Sequence, residues 1–367
     1  MTAQRTLTLR ELNRTLLSRQ MLLQRQKITA LAAVERLVGL QSQIPNPPYI
    51  GLWARLQPFQ RDDLTALMEQ KQVVRAAMMR STLHLTTAQQ HGWLRPTLQP
   101  ALERALRSFY GKRTAELDID ALVTAAKPFL ESEPRSTGDL RKLLATVQPG
   151  ADGNAMAYAV RTYLPLVQVP PGGTWGTGTA ATYTTASSYL GPDGDPDLKQ
   201  AFFAYLRAFG PATVMDFQFW TGMVRLKNEI EPFRDELVTY HDENGKELFD
   251  LPDLPVLPAE TPAPVRLVPE YDNLVIAHKD RTRILPDEHY KKIFLSAARV
   301  RATVLVDGFV AGRWRTERER QAATLVIEPF TGYTAAQKTA LTEEGERLLQ
   351  FIENDANTHT VRFEAVL

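Results

Sequence analysis

The stretch AMAYAVRTYLPLVQVPPGGTWGTGTAATYTTAS, residues 155–187, decides how the rest of the chain is read. Residues 155–164 read as a helix, and Val167-Gln168-Val169 as a strand. Pro170-Pro171-Gly172-Gly173-Thr174-Trp175-Gly176 is a turn, and the Thr-rich 181–187 is a returning strand. Upstream, 119–130 is helical, and Ser136/Thr137 caps a short helix carrying Leu140, Leu143 and Leu144. Helix, helix, helix, strand, Gly-rich turn, strand is the order of a winged helix-turn-helix. The order then recurs. Residues 197–209 form a helix, Gly210-Pro211 a turn, and 213–221 a helix with Asp216 near its start. A third helix at 224–233 leads to 238–241, an Asn244-Gly245 turn and 247–251, the strongest local signal for a hairpin.

Two successive units of about 70 residues with one order of elements are a repeat by architecture. The first third reads as an elaborated third copy. Thr8 and Glu11 fit a capping box ahead of Leu9, Leu12, Leu16 and Leu17. A second helix carries Leu31, Val34, Leu37 and Val38 and ends near Gly39, because Ile44-Pro45-Asn46-Pro47-Pro48 cannot continue it. Short helices at 49–56 and 62–70, a strand pair within 73–85 and a helix over 88–108 follow. Pro252, Pro255, Pro258, Pro262, Pro264 and Pro269 make a stiff connector. Beyond it, strands at 265–268, 302–306, 309–314, 322–328 and 360–365, with a helix at 334–352, form a small sheet or half-barrel with one helix packed on it. The expected fold is α+β, with winged-helix units at 1–115, 116–192 and 193–255 and a C-terminal β-rich domain at 256–367.

The composition of the 367 residues, 44% hydrophobic and 23% charged, is that of a globular protein. No apolar run approaches the ~20 residues of a membrane span, and 1–12 has no secretory h-region, so a cytoplasmic protein away from membranes is expected. The absence of cysteine excludes disulfide scaffolds, thiol nucleophiles and cysteine-held metals. A net charge of +1 hides an asymmetry: residues 1–113 carry 17 Lys and Arg against 6 Asp and Glu. Residues 191–260 carry 6 against 14, and 278–320 carry 11 against 6. A basic first third and a later basic island point to a polyanionic partner, unless they are only solvated faces. The third helices are poor in base-reading side chains, so the repeats read as scaffold.

No HExxH, Walker, Rossmann or Gly-x-Ser-x-Gly signature is present. Glu270, Asp272, Asp280, Asp287 and Glu288 are interleaved with His278, Lys279, Arg281 and Arg283, which favours ion pairing over a magnesium site. His84 reads as a structural histidine. What remains is Gly39-Leu40-Gln41-Ser42-Gln43-Ile44-Pro45 at the end of the second helix. An amide cannot act as a strong base near neutral pH. It can hold a water and turn its carbonyl dipole toward developing positive charge. Surface amides at a helix end are the ordinary alternative.

These residues resemble the AlkZ-like DNA glycosylases, related to YcaQ-type proteins, over essentially the whole chain. The resemblance rests on that motif together with Met79-Arg80-Ser81-Thr82-Leu83-His84-Leu85, Tyr271-Asp272-Asn273-Leu274 and His278-Lys279-Asp280-Arg281. Val306-Asp307-Gly308 and Gly312-Arg313-Trp314 complete it. It implies three tandem winged-helix units and a β-barrel-like domain around a DNA-sized channel. The implied activity is monofunctional, cofactor-free excision of N7-alkylated purines, including bulky adducts and interstrand cross-links. Gln41 and Gln43 would be the catalytic pair; the Gln at 43, where YcaQ-type relatives carry Asp, places the chain on the AlkZ side. Ser42 departs from the usual aliphatic residue. Double-stranded DNA is the expected partner and a monomer the expected state. Arg80, His278, Lys279, Arg281, Arg313, Trp314 and Arg315 are the expected DNA contacts. A winged-helix regulator without catalysis is the competing class, and a metal-dependent nuclease the third.

Overall fold

The computed structural model describes residues 5–178 and 180–367. Its first helix, Leu9–Arg19, starts at the expected capping box, with the Thr8 hydroxyl accepting from the Glu11 N–H. The second helix, Ala30–Arg36, is shorter than its apolar periodicity. Val38 and Gly39 turn the chain through positive φ, 52° and 88°, and Leu40–Gln41 emerges as a strand. Gly39 is obligatory there: a Cβ would lie 2.7 Å from Thr86 Cγ2 and 2.9 Å from the Leu85 carbonyl. The glutamine motif thus begins on a sheet edge instead of a helix end. Adding the next strand's backbone satisfies polar groups that a helix end would leave open.

That edge belongs to a six-stranded sheet in the order Leu40–Gln41, Leu83–Thr87, Val73–Ala77, Leu166–Val169, Thr182–Thr185, Arg135–Ser136. All its pairings are antiparallel. The hairpin of the second unit therefore joins the hairpin of the first, with Arg75 opposite Gln168, and one sheet crosses the 115/116 boundary. Helices Ile119–Ser132, Thr137–Val147 and Gly153–Tyr163 pack on one another through Leu122, Leu130, Leu140, Leu144 and Val160. The expected 88–108 helix is two, Ala88–Thr97 and Gln99–Tyr110, broken where Pro100 has no N–H to donate.

In the third unit, Leu198–Phe209 and Val214–Thr221 bury Phe202, Tyr205, Phe209, Phe217 and Trp220 in the largest core cluster. The third helix shrinks to Lys227–Ile230 and continues as a 3-10 turn, Glu231–Glu236, because Gly222 and Arg225 both take positive φ. Its hairpin, Val238–Asp242 with Glu247–Asp250, gains a parallel edge strand from Thr6–Leu7.

The C-terminal sheet runs Arg266–Val268, Thr303–Val306, Phe309–Glu319, Ala322–Pro329, Thr358–Phe363. Its outer strands do not pair with each other, so it is an open sheet, which corrects the expected barrel. Helix Ala335–Ile352 covers one face through Leu341, Leu348 and Leu349 against Leu325 and Ile327. No helix among the described residues is long and apolar enough to cross a membrane.

Candidate active site

Residues two apart on an extended backbone share a side, and the one between them points away. The segment at 41–43 obeys this. Gln41 is half-buried and Gln43 exposed, while Ser42 is 0% exposed. The ladder continues past the strand through Ser42 N–H donating to the Leu83 carbonyl at 2.7 Å. Beneath it lies Arg75, whose Nε donates to the Ser42 carbonyl at 2.9 Å and its Oγ at 3.0 Å. Arg75 also donates to Gln168, which donates in turn to the Tyr183 hydroxyl at 2.7 Å. Ser42 is thus not a lost aliphatic contact; its hydroxyl is the buried partner of this arginine.

The Gly-rich turn at 170–176 has a structural purpose. At Gly173, with φ of 87°, a Cβ would sit 2.6 Å from Arg75 Cδ. Trp175 packs edge-on against Tyr49 at 5.6 Å and under Arg61 at 4.0 Å, and Gly176 N–H donates to Asn46 Oδ1 at 2.9 Å. This turn is folded back on the motif's own loop. Gly173→Ala is expected to displace Arg75, lowering the melting temperature and the excision rate together; an unchanged rate would show that Arg75 does not hold the motif.

From the other side, Asn273 Nδ2 donates to the Gly39 carbonyl at 2.6 Å. Asp272 caps that short helix and pairs with Arg55 through two hydrogen bonds of 2.7 and 2.8 Å, both side chains being buried. The Tyr271-Asp272-Asn273-Leu274 motif is therefore a buttress for the glutamine loop. The contacts of Arg55, Arg75, Gln168 and Asn273 could not be read from the sequence, although Asn273 stands in one of the quoted motifs, because their partners lie far away in the chain.

The two amides are oriented by donors. Arg80 Nη2 donates to Gln41 Oε1 at 3.0 Å, and Leu83 N–H donates to Gln43 Oε1 at 3.1 Å. Both donors lack any acceptor capacity, so each oxygen is assigned by its partner and keeps a second lone pair. Burial, and then the neighbouring Arg281 charge, pull the Arg80 guanidinium down to about 10, so it stays protonated at neutral pH. Arg281 lies over the rings of Phe219, Tyr290 and Phe294 at 4.6 to 5.6 Å, and exposed Lys279 lies 5.9 Å from Phe219. None of these three cations has a carboxylate within ion-pairing distance among the described residues.

The other expected DNA contacts are placed differently. His278 is 2% exposed, donates from Nε2 to the Phe209 carbonyl at 3.1 Å, and is a core residue. Trp314 is 7% exposed and donates from Nε1 to the Val268 carbonyl at 2.9 Å, inside the C-terminal core. Neither has a surface to offer DNA, which corrects both assignments. Arg313 is bound to Glu328, and Arg315 pairs with Glu317, Glu328 and Glu364, so this part of the basic island is already neutralised. The acidic residues nearby are likewise engaged: Asp272 by Arg55, and Asp280 by Lys246 at 2.8 Å.

His84 faces Gln41 across the ladder, is fully buried, and donates from Nδ1 to the Thr82 carbonyl at 3.0 Å. Burial, then the charge of Arg80, lowers it to about 3, so it is neutral and a poor base. His278 is lowered to about 3 and His91 to about 4, again chiefly by burial. Unfolded histidines take a proton near pH 6.5, whereas these do so only well below it. Their contribution to stability is therefore intact above pH 6.5 and lost as the pH falls, by up to about 1.4 kcal/mol per pH unit for each group. Melting temperatures are expected to drop steeply between pH 6.5 and 4.5; a flat profile would contradict these burials.

The sequence profile described as DNA glycosylase AlkZ-like matches residues 34–351. The chain belongs to the AlkZ-like DNA glycosylase family and is a DNA glycosylase. It is 26% identical over 348 residues to the interstrand DNA cross-link repair glycosylase of Streptomyces sahachiroi, spanning 86% of this chain and 88% of that one. It also shares the fold of the Streptomyces sahachiroi DNA glycosylase AlkZ, with a TM-score of 0.80 and 19% identity across 98% of this chain and 100% of the other.

Proposed function

We propose that this glycosylase hydrolyses the N-glycosidic bond of N7-alkylated purines, including bulky adducts and interstrand cross-links, with Gln41 and Gln43 as its catalytic pair. Alkylation at N7 makes the base cationic, so it departs as a neutral molecule and needs no general acid. The remaining tasks are to aim a water at C1′ and to stabilise an oxocarbenium-like sugar. Carbonyl dipoles carried on a firmly held backbone segment suit both. The observation that carries this reading is the clamped 41–43 segment. Ser42 is pinned from below by Arg75, and of the amides on the opposite side of the strand Gln41 meets the cation Arg80, which has no carboxylate partner among the described residues, while Gln43 meets the Leu83 N–H.

Arg80, Lys279 and Arg281 are the DNA contacts of this reading, gripping phosphates around the lesion. We read the three helix-and-hairpin units as winged helix-turn-helix modules that serve as a frame, since the second hairpin is docked on the first unit. A cross-linked base cannot be flipped fully, and a motif on a sheet edge, with Gln43 exposed, acts on it without a sealed pocket. The name of the Streptomyces sahachiroi relative points the same way. The chain acts as a monomer in this account.

The test is a duplex with one 7-methylguanine. The protein is expected to release the free base and leave an alkali-labile abasic site irrespective of the flanking sequence. Tight binding to one sequence with no product would instead identify a regulator, and loss of activity with a chelator would identify a metal-dependent enzyme.

A further inference from the structure

The turn Met79–Ser81 holds two successive non-glycine residues at positive φ, 54° at Arg80 and 58° at Ser81. Such conformations are strained for residues that carry a Cβ and persist where the surroundings enforce them. Gly222 leaves the room: a Cβ on it would stand 3.3 Å from Arg80 Cα. The guanidinium then bridges two elements. Nη1 donates at 2.8 Å to the carbonyl of Trp220, near the C-terminus of helix Val214–Thr221, and Nη2 donates to Gln41 Oε1.

Two consequences follow from charge alone. A half-buried cation that feels the charge of Arg281 and has no counter-ion among the described residues gains strongly when a phosphate oxygen reaches it. Meanwhile the Gln41 carbonyl points at a positive charge, although the reaction requires it to face a different one, on the sugar. A guanidinium has five N–H donors and this one spends two on these contacts, so it can exchange the amide for a phosphate without leaving Trp220.

We infer that Arg80 is a positioning residue that makes Gln41 responsive to bound DNA. In the free enzyme it holds the Gln41 oxygen. On binding, it passes its Nη2 donor to a phosphodiester of the lesion-bearing strand, and the amide oxygen turns to the sugar. No bond is made or broken in this exchange. The inference rests on the excision reading and adds a coupling between one phosphate and one catalytic amide.

The test is a cycle between protein and DNA. Duplexes with one 7-methylguanine carry a neutral methylphosphonate at one flanking position at a time. Single-turnover excision is then measured for wild type, Arg80→Gln and Arg80→Lys, with melting temperatures for each. Wild type is expected to lose about tenfold or more at one position, the scale of a charge-assisted hydrogen bond. Arg80→Gln is expected to be slow on every duplex and to lose nothing further at that position, with the salt dependence of binding reduced by about one phosphate contact. Arg80→Lys keeps the charge but cannot bridge, and is expected to recover part of the positional effect. A merely structural arginine would not change which phosphate matters. Should wild type be active yet indifferent to every flanking phosphate, or Arg80→Gln retain the full positional loss, the coupling is wrong while the excision reading stands. A wild type inactive on 7-methylguanine overturns both.

Discussion

Gln41→Ala and Gln43→Ala are each expected to lower the single-turnover rate of 7-methylguanine release by about 10²–10³, the effect of removing one preorganised dipole from a transition state. Neither change should alter folding. Gln43 is exposed, and among the described residues the Gln41 side chain has its polar contact with Arg80. Binding to lesion-bearing DNA should change little, because the phosphate grip belongs to Arg80, Lys279 and Arg281. The double variant is expected to fall little below the worse single one, since two groups acting on one water and one sugar are not additive. The informative result is a loss in rate at saturating DNA. A loss confined to affinity would make the pair a binding element.

Asp272→Ala is expected to produce the largest loss of stability, about 3–5 kcal/mol, because it strands a buried guanidinium. Arg55 has no solvent to turn to: its side chain is fully buried, and its two Asp272 bonds join contacts to the carbonyls of Gln20 and Gly51. The variant also frees the cap of the helix that carries Asn273, which grips the Gly39 carbonyl. Activity should therefore fall faster with temperature than in the wild type, as the glutamine loop loosens before the whole chain melts. A joint change of Arg55 and Asp272 to apolar residues of similar volume is expected to recover much of the stability. Chemical denaturation of the two variants measures both effects, and equal losses would place the energy in packing and not in the stranded charge.

The order of elements was legible in the sequence because it is written in local chemistry. The Thr8 and Ser136 caps and the Asn244-Gly245 turn lie where the structure has them. Features fixed by distant partners were not. Gly39 ends the second helix as expected, but the strand after it exists only because 83–87 is there to pair with it. Gly172-Gly173 announces a turn, yet the reason for the glycine at 173 is Arg75, about a hundred residues earlier. Trp314 was misplaced by its basic neighbours, although the alternation of a strand puts Arg313 and Arg315 on one side and Trp314 on the other. The open C-terminal sheet differs from a barrel only in whether its edges meet, and edge pairing leaves no mark in either strand.

The claim on which the rest depends is that a centre built on two neutral amides works because the departing base is already cationic. Rates on one duplex sequence carrying 7-methylguanine, unmodified guanine or 7-deazaguanine test it most directly. Excision is predicted for 7-methylguanine alone, with the other two intact after long incubation. Comparable release of unmodified guanine would contradict the account.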